Sequence, residues 1–162
     1  PFFFMVGNAI AQSAQPIISY NYGVDRWDNI RKARKLLINT SFLFGILVTI
    51  LFVFFPTQLV ALFVDPTDNA GVIAIEGFPY FATGIVFFIL NVAIVGYYQS
   101  VELVRKATFL VFLRGLIFLV PCFVVLPMVF GVKGIWLAMP VAEMLTLFVV
   151  LFLFKSRSRN SQ

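Results

Sequence analysis

"ATFLVFLRGLIFLVPCFVVLPMVF", residues 107–130, runs for 24 residues with one charged side chain, Arg114. A helix rises about 1.5 Å per residue, so about 20 apolar residues cross the hydrocarbon of a bilayer. Backbone N–H and C=O groups in lipid must be satisfied within their own segment, and the alternation of a barrel strand is missing. The stretch is therefore predicted to be a membrane-spanning helix. Working outward, 134–154 (GIWLAMPVAEMLTLFVVLFLF), 77–98 (GFPYFATGIVFFILNVAIVGYY) and 36–55 (LLINTSFLFGILVTILFVFF) read the same way. A fifth stretch, 2–20, is shorter and more polar. The predicted fold class is all-α integral membrane, with about five transmembrane helices.

Composition agrees. Hydrophobic residues make up 61% of the 162 residues and charged residues 12%, where a soluble domain needs about a quarter. The net charge of +5 reads as a membrane-orientation bias, not as a nucleic-acid footprint, because short loops between spans offer no stacking platform. There is no His, and the single Cys122 lies in an apolar run, which rules out an intrachain disulfide. Glu143 is the one acid well inside a span, so no triad, metal site or carboxylate pair is assembled, and Gly-rich phosphate motifs are missing. The expectation is a protein that is not an enzyme and holds no metal or cofactor. The opening "PFFFMVGNAIAQ" has no initiator Met and no basic leader region, so it is read as the interior of a longer polypeptide, cut within a hydrophobic segment.

The connections sort by charge. Loops 23–35, 99–106 and 155–162 hold ten of the twelve basic residues, whereas 56–76 and 131–133 hold Lys133 alone with Asp65, Asp68 and Glu76. Lys and Arg concentrate on the cytoplasmic side of a membrane, which predicts a cytoplasmic C-terminus and a start outside, consistent with five spans. Trp27 and Tyr22 suit headgroup depth, with the neighbouring bases facing anionic lipid.

Inside the predicted spans, Asn8, Gln12, Gln15 and Ser19 fall at i, i+4, i+7 and i+11, one face of a helix. Such a stripe is either interhelical glue or the lining of a cavity. Asn91, scattered like Thr83, reads first as glue and stands beside them as a candidate. Glu143 is a candidate for transport or coupling, with a structural hydrogen bond as the alternative. Arg114 lies about 12 Å deeper than Lys106 along a helix. It is expected to snorkel to the cytoplasmic face or to pair with a carboxylate or serve a gate, and the structural role is favoured. Pro16, Pro79, Pro121, Pro127 and Pro140 permit bends, read as ordinary packing or as hinges, with the pair at 121 and 127 favouring hinges.

"GNAIAQSAQPIISYNYGVDRWDNIRKARK", residues 7–35, resembles the C-terminal half of the multidrug and toxic compound extrusion family, the MATE transporters. Gly7, Gln15, Pro16, Ser19, Tyr20, Asn21, Tyr22 and Gly23 carry the likeness, with Val24 where Ala is common. Downstream, Arg114, Pro121, Gly131, Gly134, Trp136, Pro140 and Glu143 are similar to the last two helices of that family. The resemblance implies most of the C-terminal lobe of a twelve-helix, two-lobed transporter, with the N-lobe absent and the present chain not competent alone. It implies secondary active efflux of amphipathic cationic small molecules by antiport of a proton or sodium ion, with alternating access, in the plasma (inner) membrane. The partners implied are membrane lipid, those small molecules and the missing N-lobe, with no nucleic acid. The coupling ion stays open between proton and sodium; the span matching the family's tenth helix has no interior acid, which counts against a sodium site of that type in this lobe. Tyr20, Asn21, Tyr22 and Gly23 are expected to cap a helix near the inner gate, with Gly23 in the left-handed turn. A lipid-linked saccharide flippase of the same superfamily, a membrane-embedded transferase and a non-transporting scaffold are the rival readings.

Overall fold

A computed structural model describes residues 2–157, with side chains described over 3–152. The order is α1 (Phe2–Gly23), α2 (Trp27–Phe54), α3 (Pro56–Ala61), α4 (Asn69–Ala82), α5 (Ile85–Ser100), α6 (Val104–Phe112), a π-helical segment (Leu113–Phe118), α7 (Leu119–Phe130) and α8 (Val132–Arg157). Among the described residues every regular element is helical, as backbone in lipid demands. Three helical stretches, Trp27–Phe54, Val104–Phe130 and Val132–Phe152, are long and apolar enough to cross a membrane, and α4 with α5 makes a fourth if the bent pair is one span. Helix α1 has the length, at 22 residues, but its polar stripe lowers its apolar character.

The stretch 77–98, expected as one continuous helix, is broken. Helices α4 and α5 meet at a 55° bend across Thr83 and Gly84. Pro79 supplies no N–H to the ladder of α4. The bend frees the buried Ala82 carbonyl, which accepts from the Thr49 hydroxyl of α2 at 3.2 Å. Gly84 lets the break pass against the buried Pro140 of α8.

The charge sorting of the loops is spatial. The Ser19 hydroxyl of α1 donates to the Ser100 carbonyl at 3.2 Å, and the Arg34 guanidinium lies 5.5 Å from the Tyr97 ring. Val150 of α8 packs with Tyr98 and Leu110. Loops 23–35 and 99–106 thus share one end of the bundle, called here the basic end. The basic tail 155–162 lies outside the described side chains. At the other end, Trp136 packs edge-on to Phe78 and Phe81, and Lys133 lies 5.7 Å from the Tyr80 ring. There the Asp65 carboxylate accepts from the Thr67 hydroxyl at 2.6 Å and from its N–H at 2.9 Å, which holds its pKa below the usual 3.8.

The turn after α1 corrects one expectation. Gly23 is still helical, and Asp25 takes the left-handed conformation at φ 54°. The Arg26 N–H reaches the Asn21 carbonyl at 2.9 Å and the Asp25 N–H reaches that of Tyr22 at 3.2 Å. That is the hydrogen-bond pattern of a Schellman cap with Asp25 at its left-handed position. Helix α5 ends the same way, with Glu102 at φ 57° and the Leu103 N–H on the Tyr98 carbonyl at 2.9 Å. The Asn21 side chain donates back to the Ile17 carbonyl inside α1 at 2.8 Å and accepts from Asn29 of α2 at 2.9 Å, so it ties the turn to α2 while backbone N–H groups take the end carbonyls. Tyr20 is exposed instead, and Tyr22 sets its ring edge-on to Trp27.

A buried ion pair beside a polar cavity

Helices α7 and α8 form an antiparallel hairpin around Gly131, whose φ of 59° suits a residue without Cβ. They approach so closely that a Cβ on Gly134 would meet the Leu126 carbonyl. Glu143 of α8 points inward and is 5% exposed. Arg114 approaches it from the π-helical segment. The Arg114 Nη2 donates to Glu143 Oε1 at 2.7 Å and Nε donates to the same oxygen at 3.1 Å. Asn91 of α5 completes the cluster, its Nδ2 donating to Glu143 Oε2 at 2.7 Å and to the Glu143 carbonyl at 2.9 Å. The guanidinium carbon also lies 4.6 Å from the centre of the Phe88 ring, within cation–π range.

Arg114 is therefore paired inside the bundle and does not snorkel to the basic end. Its side chain is 16% exposed and that of Glu143 6%. Both charges are largely removed from solvent, where an unpaired charge costs several kcal/mol or more, roughly, and a paired one much less. The π turn sets the direction. Its i→i+5 bonds insert one residue into the ladder, rotating the turns of α6 against those of α7.

Arg114 borders a cavity of about 230 Å³ lined also by Asn8, Gln12 and Gln15 of α1 and Gln99 of α5. Asn8 donates to the Phe4 carbonyl at 2.9 Å, and Gln15 stands 3.4 Å from Gln99. Three members of the sequence stripe thus share one cavity wall. The fourth, Ser19, turns to the Ser100 carbonyl at 3.2 Å. Asn91 lies behind the wall, 2% exposed, and its Oδ1 has no hydrogen-bond partner in the described structure. Pro16 and Pro121 face outward, whereas Pro140 is buried. Sequence reasoning chose Arg114, Glu143 and Asn91 separately. It offered a carboxylate partner for Arg114 as one alternative without joining the three, and it missed Gln99 and Phe88, which have no periodic partner in the sequence to mark them.

Residues 1–124 match the family described as MatE. A search of curated proteins finds no match. Among solved structures, the MATE multidrug transporter DinF-BH is similar over 96% of this chain, at 30% identity and a TM-score of 0.82. The inward-facing conformation of a multidrug resistance MATE family transporter of the MOP superfamily is similar over 99%, at 17% identity and a TM-score of 0.81, a likeness of fold. The chain spans 35% and 39% of those two chains.

Proposed function

This chain belongs to the MatE family, and from that premise we propose that it forms part of the C-terminal lobe of a two-lobed multidrug exporter. In this reading a proton or sodium ion moves in as an amphipathic organic cation moves out, through alternating access of the two lobes in the plasma membrane. The basic end faces the cytoplasm, by the charge bias of its loops.

The observation that carries the substrate class is the Arg114–Glu143 pair beside the amide-lined cavity. A lone guanidinium there would repel a cationic guest. Two unit charges 8 Å apart interact by about 2 kcal/mol at an effective dielectric constant of about 20. Glu143 compensates that charge from behind the wall, so the cavity presents amides and a paired guanidinium. A flippase for anionic lipid-linked sugars would instead profit from an uncompensated cation, and the cation bordering this cavity is spoken for. Neither role involves bond chemistry, so the chain acts as a transporter component and not as an enzyme. Asn91, held against both the carboxylate and the backbone of α8, positions Glu143. The Asn21–Asn29 bond fixes the turn from α1 to α2 at the basic end, and the bend at Thr83 and Gly84 sets the course of α5 midway along the α4–α5 pair.

The test uses inverted membrane vesicles containing the full-length polypeptide, with an imposed proton or sodium gradient and ethidium as probe. Ethidium is expected to accumulate under one of the two gradients and to leak when that gradient collapses. Vesicles containing the 162 residues alone are expected to accumulate none. Accumulation indifferent to both gradients would refute the antiport reading.

A further inference from the structure

We infer that the groove between α1 and α2 at the basic end is a binding site for an anionic membrane phospholipid. The groove has a volume of about 520 Å³ and is lined by Ile10, Ile17, Leu36 and Thr40 along its length, with Asn29 and Lys32 at its basic end. Its walls present open apolar surface: Ile17 is 56% and Leu36 68% exposed. Ser13, which also lines it, is satisfied within its own helix, donating to the Ile10 carbonyl at 2.9 Å. The body of the groove is thus suited to an acyl chain.

Depth supports the same occupant. From Lys32 to Thr40 the groove runs about 12 Å along α2, and from Ile10 to Asn21 about 16 Å along α1. Either length is close to one leaflet of a hydrocarbon core about 30 Å thick. The polar end then falls at headgroup level, where the exposed Trp27 and Tyr20 also stand.

Charge selects the headgroup. Lys32 makes no ion pair among the described residues, whereas the neighbouring Asp28 stands 4.0 Å from Arg31. Asn29 donates one N–H to Asn21 at 2.9 Å and has a second for a phosphate oxygen. An ammonium and an amide above an apolar slot match a phosphate carrying net negative charge better than a zwitterionic headgroup.

The experiment places the full-length protein in phosphatidylcholine nanodiscs and measures the motionally restricted fraction of spin-labelled phosphatidylglycerol against spin-labelled phosphatidylcholine. Wild type is expected to favour phosphatidylglycerol by about fivefold. Lys32→Gln should abolish the preference. Arg105→Gln, a basic residue of the same end outside the groove, should leave it within about twofold. Thr40→Trp, which fills the slot from an exposed position, should release both lipids from the restricted fraction. Equal losses in Lys32→Gln and Arg105→Gln would reduce the effect to diffuse surface charge and overturn the site. So would Leu36→Cys that resists a lipid-soluble thiol reagent, because another part of the protein would then fill the groove.

Discussion

Glu143→Ala is expected to destabilise the bundle by about 3–5 kcal/mol, the cost of leaving a buried charge without its partner. The substitution removes Oε1, which takes two N–H groups of Arg114, and Oε2, which takes the Asn91 amide. Asn91 keeps the Glu143 backbone carbonyl, so the larger part of the loss falls on the guanidinium. The reverse change, Arg114→Ala, leaves the carboxylate stranded and belongs in the same range. Replacing both charges is a different experiment. Arg114→Met with Glu143→Leu keeps much of the volume and removes both charges, and exchanges of that kind are often neutral or stabilising. Thermal unfolding of the purified protein in detergent should therefore show a large fall for each single change and recovery in the double variant. A double variant as unstable as the singles would mean that the pair acts through packing and not through charge.

Gly84→Ala is expected to cost about 1–3 kcal/mol through overpacking. A Cβ there would stand 2.5 Å from Pro140 Cα and 2.9 Å from its Cγ and N. Pro140 is buried within α8 and its ring is fixed to the backbone, so no rotamer change relieves the clash. The helices themselves must separate, at the bend that carries α5 and Asn91 towards Glu143. Gly115→Ala is the matched control. Nothing lies near a Cβ at that position, and Ala in a helical segment is favoured over Gly by roughly 0.5–1 kcal/mol. Unfolding midpoints that fall for Gly84→Ala and hold or rise for Gly115→Ala would establish that the contact with Pro140, and not helical propensity, sets the requirement.

The spans 107–130 and 134–154 were legible because long apolar runs in a bilayer have one solution. Helices Val104–Phe130 and Val132–Arg157 contain them, including the π segment. The break at Thr83 and Gly84 was less legible. Pro79 reads equally well as ordinary packing or as a hinge, and the close approach to Pro140 that Gly84 accommodates comes from more than fifty residues away. The helix end after Asn21 misled for a related reason. Glycine is the usual left-handed residue, but the left-handed position falls two residues past Gly23, at Asp25, and Asp tolerates it better than most side chains. Arg114 was the hardest. Its direction depends on a π turn that helical periodicity does not encode, and its partner lies across a hairpin. The stripe of Asn8, Gln12 and Gln15 was legible as a face, though not the identity of what it faces.

In the proposed function, Glu143 keeps the cavity wall neutral for a cationic guest. The direct measurement is ethidium efflux from cells expressing the full-length protein, normalised to membrane-inserted protein, across external pH. Glu143→Gln is expected to lower efflux by about tenfold or more, because Arg114 is then uncompensated beside the cavity. Arg114→Gln with Glu143→Gln is expected to restore efflux to within about twofold of wild type, with its pH dependence intact. A double variant as inactive as Glu143→Gln, with pH dependence lost in both, would contradict the account and make Glu143 a carrier of the coupling proton.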